Sequence, residues 1–246
     1  YNATGCVGMA LANTCDALLA IKQAVYDEGH CTMADLLCAL DDDFEGHEPL
    51  RQYLLRRAPK WGNNDPASDA LARRIADDYC NKVHTLHNAR GGPLQAALFS
   101  LDYQWTMGQA TGALPDGRKA RQALAPGVGA APGRDQRGVT ALINSVTQLD
   151  FCQTPNGTVL DLMLHPSAVR GQEGLDAFVA MIKTFFAQGG YALQCNVLDL
   201  QTLRDAQRDP EQYASLQIRV TGWSVFFVTL PREQQDQFIA RNMHHL

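Results

Sequence analysis

The chain has 246 residues, 46% of them hydrophobic and 19% charged, a balance that excludes a disordered chain and leaves room for one large domain or two small ones. Lys and Arg number 21 against 26 Asp and Glu, and a net charge of −5 gives no basic footprint for nucleic acid or an anionic membrane. No apolar run is long enough to span a bilayer, and no signal-peptide pattern opens the chain. The first residues, Tyr1 to Gly8, read as a loop, and a start on Tyr1 reads as a piece of something longer.

Helical spacing dominates from Met9 to about Val83. Ala17, Leu18, Ile21 and Val25 recur at i, i+3/i+4 and predict one apolar stripe, with Gly29 as a left-handed stop. Thr32 followed by Asp35 is a capping-box start for a short helix over Leu36 to Leu40. Asp65 as cap and Pro66 in the first turn predict another helix through Leu71, Ile75, Tyr79 and Val83. The character changes at Arg90-Gly91-Gly92. Beyond it, Ala97 to Tyr103 and Thr158 to Leu164 read as strands, and Leu175 to Phe186 as a helix stopped by Gly189-Gly190. Ala192 to Leu198 reads as a strand and Gln201 to Gln207 as a helix, so the alternation favours an α/β fold.

Seven cysteines, Cys6, Cys15, Cys31, Cys38, Cys80, Cys152 and Cys195, are odd in number and contain no CxxC pair. They indicate neither a disulfide framework nor a zinc ribbon nor an iron–sulfur ligand set, and a reducing cytoplasm is the expected setting. Cys38, between Leu37 and Ala39, reads as a small buried hydrophobe. Cys80, His84 and His87 share a helical face, yet a packed or solvated face is the better reading than zinc, because no fourth ligand is visible. Gly127 to Gly133 imitates a nucleotide loop, but Pro132 would interrupt the helix such a loop must open. Asp116-Gly117-Arg118-Lys119 reads as a turn with solvated charge, and His244-His245 as a frayed end.

The run from Gln217 to Val228 is β-prone and broken once, by Gly222, which on physics alone marks a turn, a bulge or a close approach. Arg219-Val220-Thr221-Gly222-Trp223 resembles the signature of the glycyl radical enzymes, the pyruvate formate-lyase-like family. Further segments follow in that family's order: Asn13 to Lys22, Asp43-Phe44-Glu45-Gly46, Ala58 to Asn63, Ala113 to Ala120, Pro132 to Asp135, Asn156-Gly157-Thr158 and Leu203 to Gln207. The Tyr1–Lys22 and Ala58–Asn63 segments are closer to the dehydratase branch than to formate acetyltransferase.

The resemblance implies the C-terminal part of a ten-stranded α/β barrel, with a helical N-terminal segment and the radical loop near the C-terminus. It divides the chain into residues 1–118, from the pyruvate formate-lyase-type domain, and 119–246, the glycine radical domain. It implies that Gly222 stores a radical after an activating enzyme with an iron–sulfur cluster and S-adenosylmethionine removes a Cα hydrogen. A glycyl radical is planar and delocalised, and a Cβ would crowd it. Val220, Trp223, Val225 and Phe226 would wall it from water. The resemblance implies that the thiyl cysteine lies outside this chain: Gly5-Cys6-Val7-Gly8 carries Gly8 where the family's loop has an acid, and Tyr1 to Gly5 directly precede the Asn13–Lys22 helix, past the family's cysteine loop in register. Cys195 reads as packing, and Cys152 has no activating base nearby. No bound cofactor and no metal is implied. The partners implied are the activating enzyme, the other half of the barrel, a small-molecule substrate and a second copy in a homodimer, with lyase, dehydratase and acetyltransferase chemistry left open. Two other readings stay beside it: a short partner subunit that repairs a larger enzyme, and a non-catalytic α/β fragment.

Overall fold

A computed structural model describes residues 2–101, 103–220, 223–240 and 244. Strand β1 (Thr4–Gly8) pairs in parallel with β2 (Leu94–Leu98), Cys6 opposite Ala96. The stretch expected as a loop is therefore a strand. Its two glycines hide it locally, and its partner lies some 90 residues away, where Pro93 O accepts from Thr4 N at 3.1 Å.

Helix α1 (Leu11–Ile21) continues as a π-helical turn over Lys22–Asp27, and Gly29 takes φ +58° as expected of a left-handed stop. The buried stripe is rotated from the predicted one. Leu11, Ala12, Cys15, Asp16, Leu19 and Ala20 face inward, while Leu18 is 45% exposed. Asn13 and Asp16 are buried too, so a pure hydrophobicity pattern points to the wrong face. In α2 (Met33–Asp41) the capping box is complete: Thr32 Oγ1 accepts from Asp35 N at 3.1 Å, and Asp35 accepts from Thr32 N at 2.9 Å. Cys38, expected inside, sits on the outer face of this helix. After α3 (Glu48–Arg56), Asp65 caps α4 (Pro66–His84) by accepting from Ala67 N and Ser68 N.

Of the strand expected over Ala97 to Tyr103 only Ala97 and Leu98 are strand, for β2 runs from Leu94 to Leu98. Leu101 adopts φ +51°, which an extended chain does not take, and Tyr103 opens α5 (Tyr103–Gln109). Then come α6 (Gly138–Val146), β3 (Leu160–Leu164), α7 (Gly171–Ala187), β4 (Leu193–Val197) and α8 (Leu200–Arg208). The last elements are β5 (Gln217–Val220), β6 (Trp223–Phe226) and α9 (Arg232–Ala240). Gly189, with φ +90°, follows the end of α7 as predicted.

Strands β3 and β4 form a second parallel pair, and β5 and β6 an antiparallel one. A single parallel bridge, Leu98 to Thr158, ties the end of β2 to the approach of β3. The largest core lies where α1, α4, α6 and α7 cover these parallel strands, around Trp61, Val128, Leu142, Leu160, Leu162 and Phe185. Each such side chain contributes about 1.5–3 kcal/mol of burial. A second cluster gathers Phe44, Leu36 and Leu54 under α2 and α3, and a third joins Met163, Leu203, Ile218, Phe227 and Phe238.

His244, expected to fray, is held. Its N donates to Met163 O at 2.9 Å and its O accepts from His165 N at 3.1 Å, so it bridges the edge of β3 that β4 does not use. Its ring Nε2 lies 2.8 Å from Asp135 Oδ2, and the side chain is only 4% exposed. Long-range pairing to a strand overrides the usual looseness of an end. His245 lies outside the described residues. No helix among the described residues is long and apolar enough to cross a membrane.

Candidate active site

The hairpin carrying the Arg219–Trp223 motif is built by alternation. Ile218 and Val220 point into the third core cluster, and Gln217 and Arg219 point out. Val220 pairs with Trp223 and Ile218 with Val225. Gly222, on which the sequence reading rests, lies outside the described residues, as does Thr221. Of the predicted apolar wall, Val220 is buried and Val225 half-buried, but Phe226 is 43% exposed. The alternation that turns Ile218 and Val220 inward turns Phe226, the partner of Gln217, outward.

Strand β5 does not extend the β3–β4 pair by a main-chain ladder. Two side-chain amides on one face of β4 meet it instead. Asn196 Oδ1 accepts from Arg219 N at 2.8 Å, and its Nδ2 donates to Arg219 O at 3.0 Å. Gln194 Nε2 donates to the same carbonyl at 3.3 Å and to Asp161 Oδ1, on β3, at 2.7 Å. Asn196 and Gln194 are 5% and 8% exposed. Beside this contact lies a cavity of ≈ 530 Å³ whose lining includes Phe99, Thr158, Tyr191, Cys195 and Arg219.

A second polar cluster is buried among the helices. Asn13 and Asp16, three apart on α1, hold two loops. Asn13 donates to Asp116 Oδ2 at 2.8 Å and accepts from Ala125 N at 2.7 Å, while Asp16 Oδ1 accepts from Trp61 N at 2.8 Å. Arg118 is not solvated as predicted. It is 4% exposed and donates to the carbonyls of Gly108 and Gly112 at 2.7 and 2.8 Å, while Asp116 is 2% exposed and accepts from Arg118 N. The charges read as surface turn are internal struts, which a local turn propensity cannot reveal. Desolvation pushes the Asp16 carboxyl up to about 7, against the pull of the Lys60 cation, and lowers Lys60 from the ordinary lysine value.

The cysteines sort by environment. Cys195, on β4 opposite Leu162, is half-buried, and desolvation raises its thiol to about 11, which keeps it protonated and suits packing. Cys6 lies in β1, where its carbonyl accepts from Tyr79 Oη at 2.8 Å. Cys152 is exposed on a short turn capped by Asp150. Cys80 is buried and raised to about 11, while α4 ends at His84. Among the described residues, the ligand-type side chains that do converge are Cys38, Asp42 and His47, within 4.8 Å on the surface, a grouping the sequence reading missed. The Asp42 carboxylate raises the Cys38 thiol. The Asn196–Gln194–Asp161 contact and the His244–Asp135 pair were also missed. Two amides at i and i+2 in an otherwise apolar strand were the available signal for the first.

Residues 1–108 match the family described as pyruvate formate lyase-like, and residues 124–228 the one described as glycine radical. Among curated relatives, the probable dehydratase YbiW of Escherichia coli K12 is 37% identical over 97% of this chain. Trans-4-hydroxy-L-proline dehydratase of Clostridioides difficile is 34% identical over 98%. The chain spans about 30% of the length of either. The glycerol-bound B12-independent glycerol dehydratase from Clostridium butyricum superposes with a TM-score of 0.95 at 40% identity, over 100% of this chain and 31% of that one. Hydroxyproline dehydratase from C. difficile, with trans-4-hydroxy-L-proline bound, gives 0.96 at 33% identity, over 100% of this chain and 31% of that one. With both family matches and the relatives in agreement, the chain belongs to the glycyl radical enzymes, in the pyruvate formate lyase-like family.

Proposed function

We propose that this chain supplies the radical-storing portion of a dehydratase or related carbon–heteroatom lyase, with Gly222 as the storage residue. What supports the reading is the sequence position of Gly222: it falls inside the stretch that matches the glycine radical family, two residues past the end of β5, whose inward residues are anchored in an apolar cluster. Dehydration is favoured over acetyl transfer because the relatives at 37% and 34% identity and the neighbour at 40% carry dehydratase names.

The substrate-facing cysteine belongs to a part of the enzyme outside this chain. Its S–H gives a hydrogen atom to the Gly222 radical, and the thiyl so formed takes a hydrogen atom from a substrate carbon bearing a hydroxyl; the neighbouring C–O bond breaks, and its oxygen leaves as water with the proton of that first hydroxyl. The thiol then returns the hydrogen atom, so the net change is loss of water. Gly222 holds the unpaired electron between turnovers. The thiol of Cys195, protonated at neutral pH and packed against β3, is a bystander.

In this reading residues 1–118 and 119–246 are the two portions of the domain plan, and the strands described are part of a ten-stranded barrel completed elsewhere. A radical-installing enzyme with an iron–sulfur cluster and S-adenosylmethionine is the activating partner. A homodimer, a small-molecule substrate and a cytoplasmic, oxygen-poor setting complete the picture. The alternative of a short repair subunit predicts assembly with a larger chain that carries the cysteine.

The test uses the full-length protein, activated without oxygen and then opened to air. Cleavage at Gly222, releasing the fragment that begins at Trp223 on a mass spectrum, is the expected result. An activated chain that stays intact, or one cut equally when Gly222→Ala is introduced, would overturn the assignment. Glycerol and 1,2-propanediol serve as first substrate probes, read by formation of the corresponding aldehyde.

A further inference from the structure

An antiparallel pair offers its polar main-chain groups alternately to the partner strand and to the outer edge. Arg219, opposite Ser224, presents its N–H and C=O to the outer edge of the hairpin, where they meet β4. A strand docking on a sheet ordinarily finds main chain there. In this fold it finds the amide of Asn196, whose donor and acceptor match the peptide group of one residue. The spacing follows from this choice, because a side chain interposed between two backbones holds them farther apart than the 4.7–4.9 Å or so of a direct ladder.

The arrangement is buttressed. Gln194, two residues earlier on the same face of β4, donates to the same Arg219 carbonyl. Its amide is fixed in turn by Asp161, its register partner on β3. These three hydrogen bonds from β4 converge on the main chain of Arg219, which stands three positions before Gly222. Buried amides of this kind are costly unless satisfied, so the apolar strand has a reason to carry them only if the contact is needed.

We propose that Asn196 is a positioning residue for the radical site: its amide clasps the peptide of Arg219 and fixes how far the Gly222 hairpin stands from β4, with Gln194 and Asp161 holding the clasp. The proposal rests on the radical reading of Gly222. It predicts that the clasp sets the survival of the stored radical through placement, and that the stability of β4 itself is a separate matter.

The experiment uses full-length, anaerobically activated protein carrying Asn196→Ala, with Gln194→Ala and Asn196→Asp beside it. Hydrogen exchange read by mass spectrometry should show lost protection in the peptide covering 217–228, with the β3 and β4 peptides unchanged. The glycyl doublet, normalised to folded protein, should decay about tenfold or more faster in N196A, a loss on the order of that which a displacement near 1 Å causes in catalytic geometry. Q194A should fall between N196A and wild type. Asn196→Asp keeps the acceptor for Arg219 N and loses the amide donor, and carries the test if N196A fails to fold, with the same direction expected. Unchanged hairpin exchange and doublet lifetime in the folded variants would overturn the clasp. So would equal loss of protection throughout β3 and β4, which is the mark of a merely structural role. A wild-type protein that gives no doublet overturns the radical reading and this proposal with it, whereas a wild-type doublet with wild-type decay in N196A overturns this one alone.

Discussion

Asp16 shows how one residue can serve architecture at an electrostatic cost. It is fully buried, Oδ1 accepts from Trp61 N, and Oδ2 has no hydrogen-bond partner among the described residues. Burial raises its carboxyl from 3.8 to about 7. Between those values the folded protein holds a proton that the unfolded chain has released, so this group makes stability fall as pH rises through the window. Above about 7 the loss is complete. Asp16→Asn keeps an acceptor for Trp61 N and removes the titration. Urea midpoints measured from pH 4 to 7.5 should therefore slope downward in the wild type and flatten in the variant, and parallel slopes would contradict this account. The sequence marked Asn13 and Asp16 as part of a family pattern and said nothing of their work. Their partners, Asp116 and Trp61, lie 103 and 45 residues away.

At the scale of elements, legibility followed locality. Thr32 with Asp35, Asp65 with Pro66, and Gly29 each act within a turn of themselves, and the helix ends they predict are where the structure has them. Strand β1 and both ends of β2 were not legible, since parallel pairing is decided by a chain segment far away in sequence. Loops gave the same lesson. Asp116 and Arg118 look like surface turn residues until their buried carbonyl and amide partners are known. The loop before α4 supplies a prediction of its own. Gly62 has φ +90°, and a Cβ there would stand 2.9 Å from both Ala130 Cβ and Leu142 Cδ1. Gly62→Ala should cost about 1–3 kcal/mol through backbone strain and overpacking, read as a lowered denaturation midpoint. A change within a few tenths of a kcal/mol would show that the loop yields more readily than its packing implies.

For the whole molecule, two parallel strand pairs under helices place a small antiparallel hairpin against β4 through side-chain amides, and His244, the last described residue, pairs back onto β3. The family was legible because its landmarks run through the chain in order. The way those landmarks grip one another was not, being a matter of three-dimensional contact. The central claim is that Gly222 stores an unpaired electron, and electron paramagnetic resonance tests it most directly. Full-length protein grown with ordinary glycine and activated anaerobically should give a doublet from the single remaining Cα hydrogen. Protein grown with glycine deuterated at Cα should give a collapsed singlet, and Gly222→Ala no signal. A doublet that survives in Gly222→Ala, or activated wild-type protein with no signal at all, would contradict the account.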